Sequence, residues 1–277
     1  MSRRIHIFQR SNRPSATSSA QLISKKLADY GIQTVDTEHV QDAELVIVLG
    51  GDGTILAAAE QVRHKDIPLI GVNLGHVGFL AEAEEEDLNE VIEKVAKGDY
   101  TIDRRMTLDV ELQRPDGSRE TDWALNDAAV LGTDRSRPVV LELGVDGSAV
   151  SEYGADGLII STPTGSTAYS FSAGGPIIFP NVEAVEVVPL AAHGLFTRPI
   201  VVGPDSYIEV KAATRQLQDM DVWCDGRRRI QGPPGSVLRA VCGQWRLSLI
   251  RLNDMSFSGR LVAKFNLPVE GWRKDLS

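Results

Sequence analysis

A chain of 277 residues is long enough for two ordinary domains with a substantial core. Its formal charge of −9 gives no support to a surface for nucleic acid or an anionic membrane, and any polyphosphate ligand would have to be attracted locally, by amides, a metal or a few Arg and Lys side chains. Two cysteines, Cys224 and Cys242, make neither a disulfide framework nor a metal cluster. No stretch is apolar enough to span a bilayer, and MSRRIHIFQR lacks a secretory segment, so a soluble, cytoplasmic protein is expected.

Ile5 to Phe8 is predicted to be a strand, followed by a loop with Arg10, Arg13 and several hydroxyls. A helix then carries Ala16, Ala20, Ile23 and Leu27 on one face and ends at Gly31, and Thr34 and Val35 begin a short strand. Val46 to Leu49 has the length and branching of a buried parallel strand. Gly50-Gly51-Asp52-Gly53-Thr54 follows, and Ile55, Leu56 and Ala57 to Ala59 then supply helix formers. Between a strand and a helix of an open α/β sheet, such glycines let an anion approach the backbone, and helix N-terminal N–H groups point at it. Asp52 is the odd residue, because a carboxylate repels phosphate unless it takes a proton from a nucleophile or works with a divalent metal. In a plain turn the same residue would be a helix cap. Neither the Walker A lysine nor a GxGxxG is present. Leu69 to Val72 is another strand, ending in NLGHVGFL with Asn73, Gly75, His76 and Gly78; two such loops side by side would form one ligand crevice. His76 reads as a solvent-facing loop residue.

Leu88, Val91, Ile92 and Val95 form a helical stripe stopped by Gly98. Thereafter the period changes to two, with Leu108, Val110 and Leu112 alternating with polar residues. Similar runs lie at Leu141 to Val145, Tyr207 to Val210 and Ser236 to Ala240, and turn signals at Arg114-Pro115-Asp116-Gly117, Asp146-Gly147 and Asp225-Gly226. The expected domains are therefore 1–99, α/β; 100–250, all-β; and 251–277, where Leu261, Val262 and Phe265 regain helical spacing and return to the first domain. Within the β region, DGLIISTPTGSTAYSFSAGGP at 156–176 is not ordinary strand sequence. Burying unpartnered hydroxyls costs ~1–3 kcal/mol each, so the segment is expected to offer them to a ligand, with Tyr169 stacking on a flat base. The alternative is a tightly turned corner between sheets.

GGDGT at 50–54, NLGHVGFL at 73–80, LND at 125–127 and the whole of 156–176 resemble the NAD kinase family, and KFNLPVEGWR at 264–273 resembles the tail of its bacterial members. The match runs in order over nearly the whole chain. GGDGT is shared with lipid kinases and the phosphofructokinase-like superfamily, whereas TPTGSTAY is specific. The resemblance implies an α/β N-terminal domain with a Rossmann-like parallel sheet, an all-β C-terminal domain of β-sandwich type, and a site in the cleft between them. It implies phosphoryl transfer from ATP, or from polyphosphate, to the 2′-hydroxyl of the adenosine ribose of NAD, giving NADP with the help of Mg²⁺ or another divalent cation. A homodimer or homotetramer is implied too, with part of each NAD site completed by a neighbouring subunit.

Carried over residue by residue, the resemblance makes Asp52 the catalytic carboxylate, which serves as a weak base if the sugar proton leaves late. Amides near Gly50, Gly51, Gly53 and Thr54 hold the donor phosphates, aided by Asn73. Asn126 and Asp127 fall on the adenosine side, Asp127 standing where most relatives have a glutamate. Thr167, Ala168 and Tyr169 cradle the adenine, with Ser172 nearby. Asp156 accepts the nicotinamide carboxamide, Ala191 gives a backbone contact, and Arg137 faces the pyrophosphate from a neighbouring subunit. His193 is read as structural or as a residue supporting the site from behind, and Asp225-Gly226 as a hairpin turn. A lipid kinase would need an apolar cleft, a non-catalytic sensor would favour a neutral residue at Asp52, and a dehydrogenase would need the missing glycine fingerprint.

Overall fold

Apolar runs alternate with helical stripes through the first hundred or so residues, and the computed structural model turns that alternation into a largely parallel sheet. It describes residues 3–10, 14–74, 78–134, 136–194, 196–253 and 255–268. The elements in order are β1 (Arg4–Gln9), α1 (Pro14–Asp29), β2 (Gln33–Val35), β3 (Leu45–Leu49), α2 (Asp52–Val62), β4 (Leu69–Asn73), β5 (Ala83–Glu84), α3 (Leu88–Lys97) and β6 (Thr101–Arg105). β3 and β4 are buried at every position, as strands covered on both faces must be. α3 buries Leu88, Val91, Ile92 and Val95 and ends at Gly98, whose φ of 72° is the left-handed conformation that stops a helix. β1 pairs in parallel with β2 on one side and β3 on the other. The chain thus reverses direction across the sheet at β1 and β3, and the carboxyl end of β3 lies at the switch point where open α/β sheets bind ligands.

The following stretch is β-rich: β7 (Leu108–Gln113), β8 (Arg119–Ala124), β9 (Asp127–Gly132), β10 (Val139–Val145), β11 (Ser148–Ala155), β12 (Gly157–Ser161), the single-turn α4 (Tyr169–Ser172), β13 (Val185–Leu190), β14 (Ile200–Val202), β15 (Ile208–Ala212), β16 (Met220–Cys224), β17 (Arg228–Gly232) and β18 (Val237–Cys242). They form two six-stranded antiparallel sheets, ordered β11-β10-β15-β18-β7-β8 and β14-β13-β12-β9-β16-β17. The inner faces share one core: Leu108, Leu112 and Leu141 of the first sheet meet Val130, Ile160 and Val222 of the second. Burying each such side chain is worth ~1.5–3 kcal/mol. Asp146-Gly147 and Asp225-Gly226 have the paired positive φ of hairpin turns.

β19 (Leu247–Arg251) is buried throughout and pairs in parallel with β4, and α5 (Phe257–Phe265) follows it. Residues 247–250, assigned to the β region by their spacing, therefore belong with the first sheet. The chain divides into two compact units, Met1–Arg104 with Leu247–Ser277, and Arg105–Arg246. Among the described residues no helix is long and apolar enough to cross a membrane. Cys224 and Cys242 are both free.

Candidate functional site

Gly50 leaves β3 with its N–H on the Val72 carbonyl, 2.9 Å away, and a φ of 146°. A Cβ there would stand 2.5 Å from Thr54 Oγ1, so the turn requires glycine. Gly51 is the N-cap of α2, and Asp52, Gly53 and Thr54 make its first turn. Thr54 and Ile55 return their N–H groups to the Gly51 carbonyl at 2.8 and 3.2 Å. The first amides of a helix have no acceptor within it, which is why helix N-termini suit anions. Asn73, buried at the end of β4, brings its side-chain oxygen beside Gly51. Gly75 and His76 lie outside the described residues.

Asp52 does not cap its helix. Its Oδ2 accepts the Phe79 N–H at 3.0 Å and its Oδ1 the Leu80 N–H at 3.1 Å. Gly78 lies against the carboxylate so closely that a Cβ would be 2.1 Å from Oδ1. Each oxygen retains lone-pair capacity for a further donor. The result is an oriented acceptor in the first turn of α2, which suits a reaction that takes up a proton next to a phosphate.

In the second unit, Asn126, Asp127, Ala168 and Tyr169 share a cavity of about 510 Å³ with Trp223 and Asp225. Tyr169 is 39% exposed. It also lines a second cavity of about 240 Å³ with Arg137 and Asp156. Arg137 is ion-paired with Asp134 at 2.8 Å. Thr167, Ser172 and Ala191 lie outside both linings. Thr167 donates its hydroxyl to the Thr164 carbonyl, Ser172 is the exposed last residue of α4, and Ala191 follows β13 in the left-handed region at φ 47°.

The hydroxyls of 156–176 correct the expectation that a ligand satisfies them. Thr162 Oγ1 donates to the Leu125 carbonyl at 2.6 Å, Ser161 Oγ to the Asn126 carbonyl at 3.2 Å and Ser166 Oγ to the Pro163 carbonyl at 2.7 Å, while Ser170 Oγ donates to Glu186. Gly165 sits so near the Asn126 carbonyl that a Cβ would be 2.1 Å from it. The hydroxyls thus build a tight corner against residues 125 and 126, and it is the corner that presents Ala168 and Tyr169.

Two acids escaped the sequence reading. Asp225 does sit in a hairpin turn, yet its carboxylate accepts the Leu125 and Asn126 N–H groups at 3.0 and 2.7 Å and lines the larger cavity. Glu186 lies on β13 in the same register row as Asp127 and Ser161. It has no exposed surface, and its Oε2 has no hydrogen-bond partner among the described residues. Burial, with the like charges of Asp225 and Glu186, pushes the Asp127 carboxyl up to about 7. Burial also raises the Glu186 carboxyl to about 7 against the opposing Ser170 hydrogen bond. Asp225 is raised by burial too, opposed by the two amides and Arg228. Nothing in the local pattern marks how Asp225 meets Leu125, Asn126 and Asp127, because these residues lie about a hundred positions away in the chain.

Residues 5–100 match the family model for the ATP-NAD kinase N-terminal domain, and residues 125–252 that for the ATP-NAD kinase C-terminal domain. NAD kinase 2 of Streptomyces coelicolor is 44% identical, over 98% of this chain and 97% of its own. The crystal structure of yeast NADH kinase complexed with NADH shares the fold with a TM-score of 0.87, at 20% identity, over 97% of this chain and 88% of its own. That of an NAD kinase from Archaeoglobus fulgidus in complex with ATP has a TM-score of 0.78 at 25% identity, over 96% of this chain and 100% of its own. With both halves matched and a relative this similar end to end, the chain belongs to the NAD kinase family.

Proposed function

We propose that the chain performs its family's reaction, phosphorylation of NAD to NADP, with Asp52 as the group that accepts the proton of the adenosine ribose 2′-hydroxyl. The observation that carries this reading is the Asp52 carboxylate, fixed by two backbone amides in the first turn of α2 where a phosphate is otherwise expected. Phosphoryl transfer asks little covalent chemistry of the protein; it asks for in-line positioning and relief of charge. The amides following Gly50 and Gly51, with Asn73, supply that relief at the donor phosphates. ATP is the donor in this reading, supported by the relative from A. fulgidus in complex with ATP. Polyphosphate presents the same oxygens.

For the dinucleotide, Tyr169 stacks on the adenine and Asn126 and Asp127 bind ribose hydroxyls, since these side chains share one cavity. Two ribose O–H donors on Asp127 would offset the cost of burying its charge. Asp156 and Arg137, on the adjoining cavity, serve the nicotinamide and pyrophosphate. Among the described residues no group of three His, Cys, Asp or Glu side chains could cage a cation. A divalent ion such as Mg²⁺ belongs to the same reading and would be held through the donor phosphates. A homodimer or homotetramer belongs to the same reading, supported by exposed Val182, Val201 and Leu217 in the second unit. So does a cytoplasmic location, supported by the two free cysteines.

The test is incubation of the pure protein with NAD and either ATP or polyphosphate, with NADP read by an NADP-dependent dehydrogenase. NADP formation is expected. Phosphorylation of diacylglycerol in a parallel tube, with none of NAD, would overturn the reading.

A further inference from the structure

We infer that Arg260 and Glu82 are positioning residues for Asp52, holding from behind the short segment whose amides grip its carboxylate. The inference rests on the proton-acceptor reading above. Phe79 and Leu80, the donors to Asp52, belong to the stretch 78–82, which lies in no helix or strand. What keeps such a stretch in place is its other side. Arg260 Nη1 donates to the Ala81 carbonyl at 3.0 Å, and Arg251 Nη1 lies 3.4 Å from the Leu80 carbonyl. The Glu82 side chain, with no exposed surface, takes Arg260 Nη2 at 2.6 Å and Arg251 Nη1 at 3.0 Å on one oxygen. Its other oxygen accepts the Leu252 and Asn253 N–H groups at 2.9 and 3.3 Å. Phe79 itself is flanked by the rings of Phe257 and Phe265, at 6.2 and 5.7 Å between centroids.

The C-terminal helix α5 thus supplies both a charge clamp and two aromatic walls to a segment that carries Asp52 on its opposite edge. A buried Arg–Glu–Arg group of this kind adds little stability, because desolvation offsets most of the attraction; in this inference its role is to hold one geometry. Removing Arg260 leaves Glu82 one donor short and frees the Ala81 carbonyl, so residues 79 and 80 can drift. A displacement of about 1 Å in a group that positions reactants costs on the order of 100-fold in turnover.

The experiment compares Arg260→Met, Arg260→Lys and Asp52→Asn with the parent protein, measuring kcat per folded molecule, the KM and Kd for NAD, and the melting temperature. For Arg260→Met we expect kcat to fall about 100-fold while the Kd for NAD stays within about twofold. Arg260→Lys, which keeps a charge on Glu82 but not both donors, should recover part of the loss, and it carries the test if the methionine variant fails to fold. A lowered melting temperature with kcat intact would make the cluster merely structural and overturn the inference, as would a loss confined to NAD affinity. Full turnover in Asp52→Asn would instead bring down the proton-acceptor reading itself, and this inference with it.

Discussion

Glu186→Gln should make the protein more stable, and only at high pH. The wild-type carboxylate sits on β13 with no exposed surface, one oxygen bonded to Ser170 and the other without a partner among the described residues. Its value rises from an ordinary 4.5 to about 7 on folding, chiefly through burial. Below 4.5 both states hold the proton and stability does not depend on this group. Between 4.5 and about 7 the unfolded chain ionises first, so stability falls as pH rises; above about 7 the penalty is complete. Each pH unit is worth ~1.4 kcal/mol, so between about pH 5.5 and pH 8.5 the wild type loses roughly 2 kcal/mol that glutamine, uncharged and able to keep the Ser170 bond, does not lose. Urea unfolding at the two pH values, followed by the fluorescence of Trp123, Trp223 and Trp245 in the same unit, measures the difference directly. A mutant no more stable than wild type at the higher pH, or a difference that does not change with pH, would refute the argument.

Tyr169→Ala should weaken NAD binding by roughly 1–3 kcal/mol in a calorimetric titration, as for other bases stacked on aromatic rings, with an unchanged Kd placing the ring outside the site. Gly78→Ala puts a methyl group where Asp52 Oδ1 stands, 2.1 Å from the ideal Cβ. Steady-state assays should therefore show kcat reduced by about 100-fold with NAD affinity retained, and wild-type kcat would show that the carboxylate's place is not critical.

Much of the fold was legible because it follows from local period. Val46 to Leu49, the stripe from Leu88 to Val95 and the alternation through Leu108 to Leu112 carry their own signal, and each is the element expected. Glu186 shows the limit. In VEVVPL it looks like the outward residue of an alternating strand, yet five of those six positions are buried. Likewise Asp225 reads as a turn residue because the turn is local, while the Leu125 and Asn126 amides it holds lie a hundred positions away. The hydroxyls of Ser161, Thr162, Ser166 and Ser170 were legible as needing partners but not as finding them in the chain itself. Asp52 stood out by its charge; that Phe79 and Leu80 hold it, and that Arg260 backs them, depends on contacts no spacing encodes.

The central claim is tested most directly by Asp52→Asn, which preserves size and shape, can keep only one of the two backbone amide bonds to Phe79 and Leu80, and cannot take the ribose proton. Binding of NAD by calorimetry and turnover to NADP should be measured on the same preparation. The account predicts NAD affinity close to wild type and turnover lower by ~10²–10⁴-fold, the range for a lost general base. Undiminished turnover in that variant would contradict it.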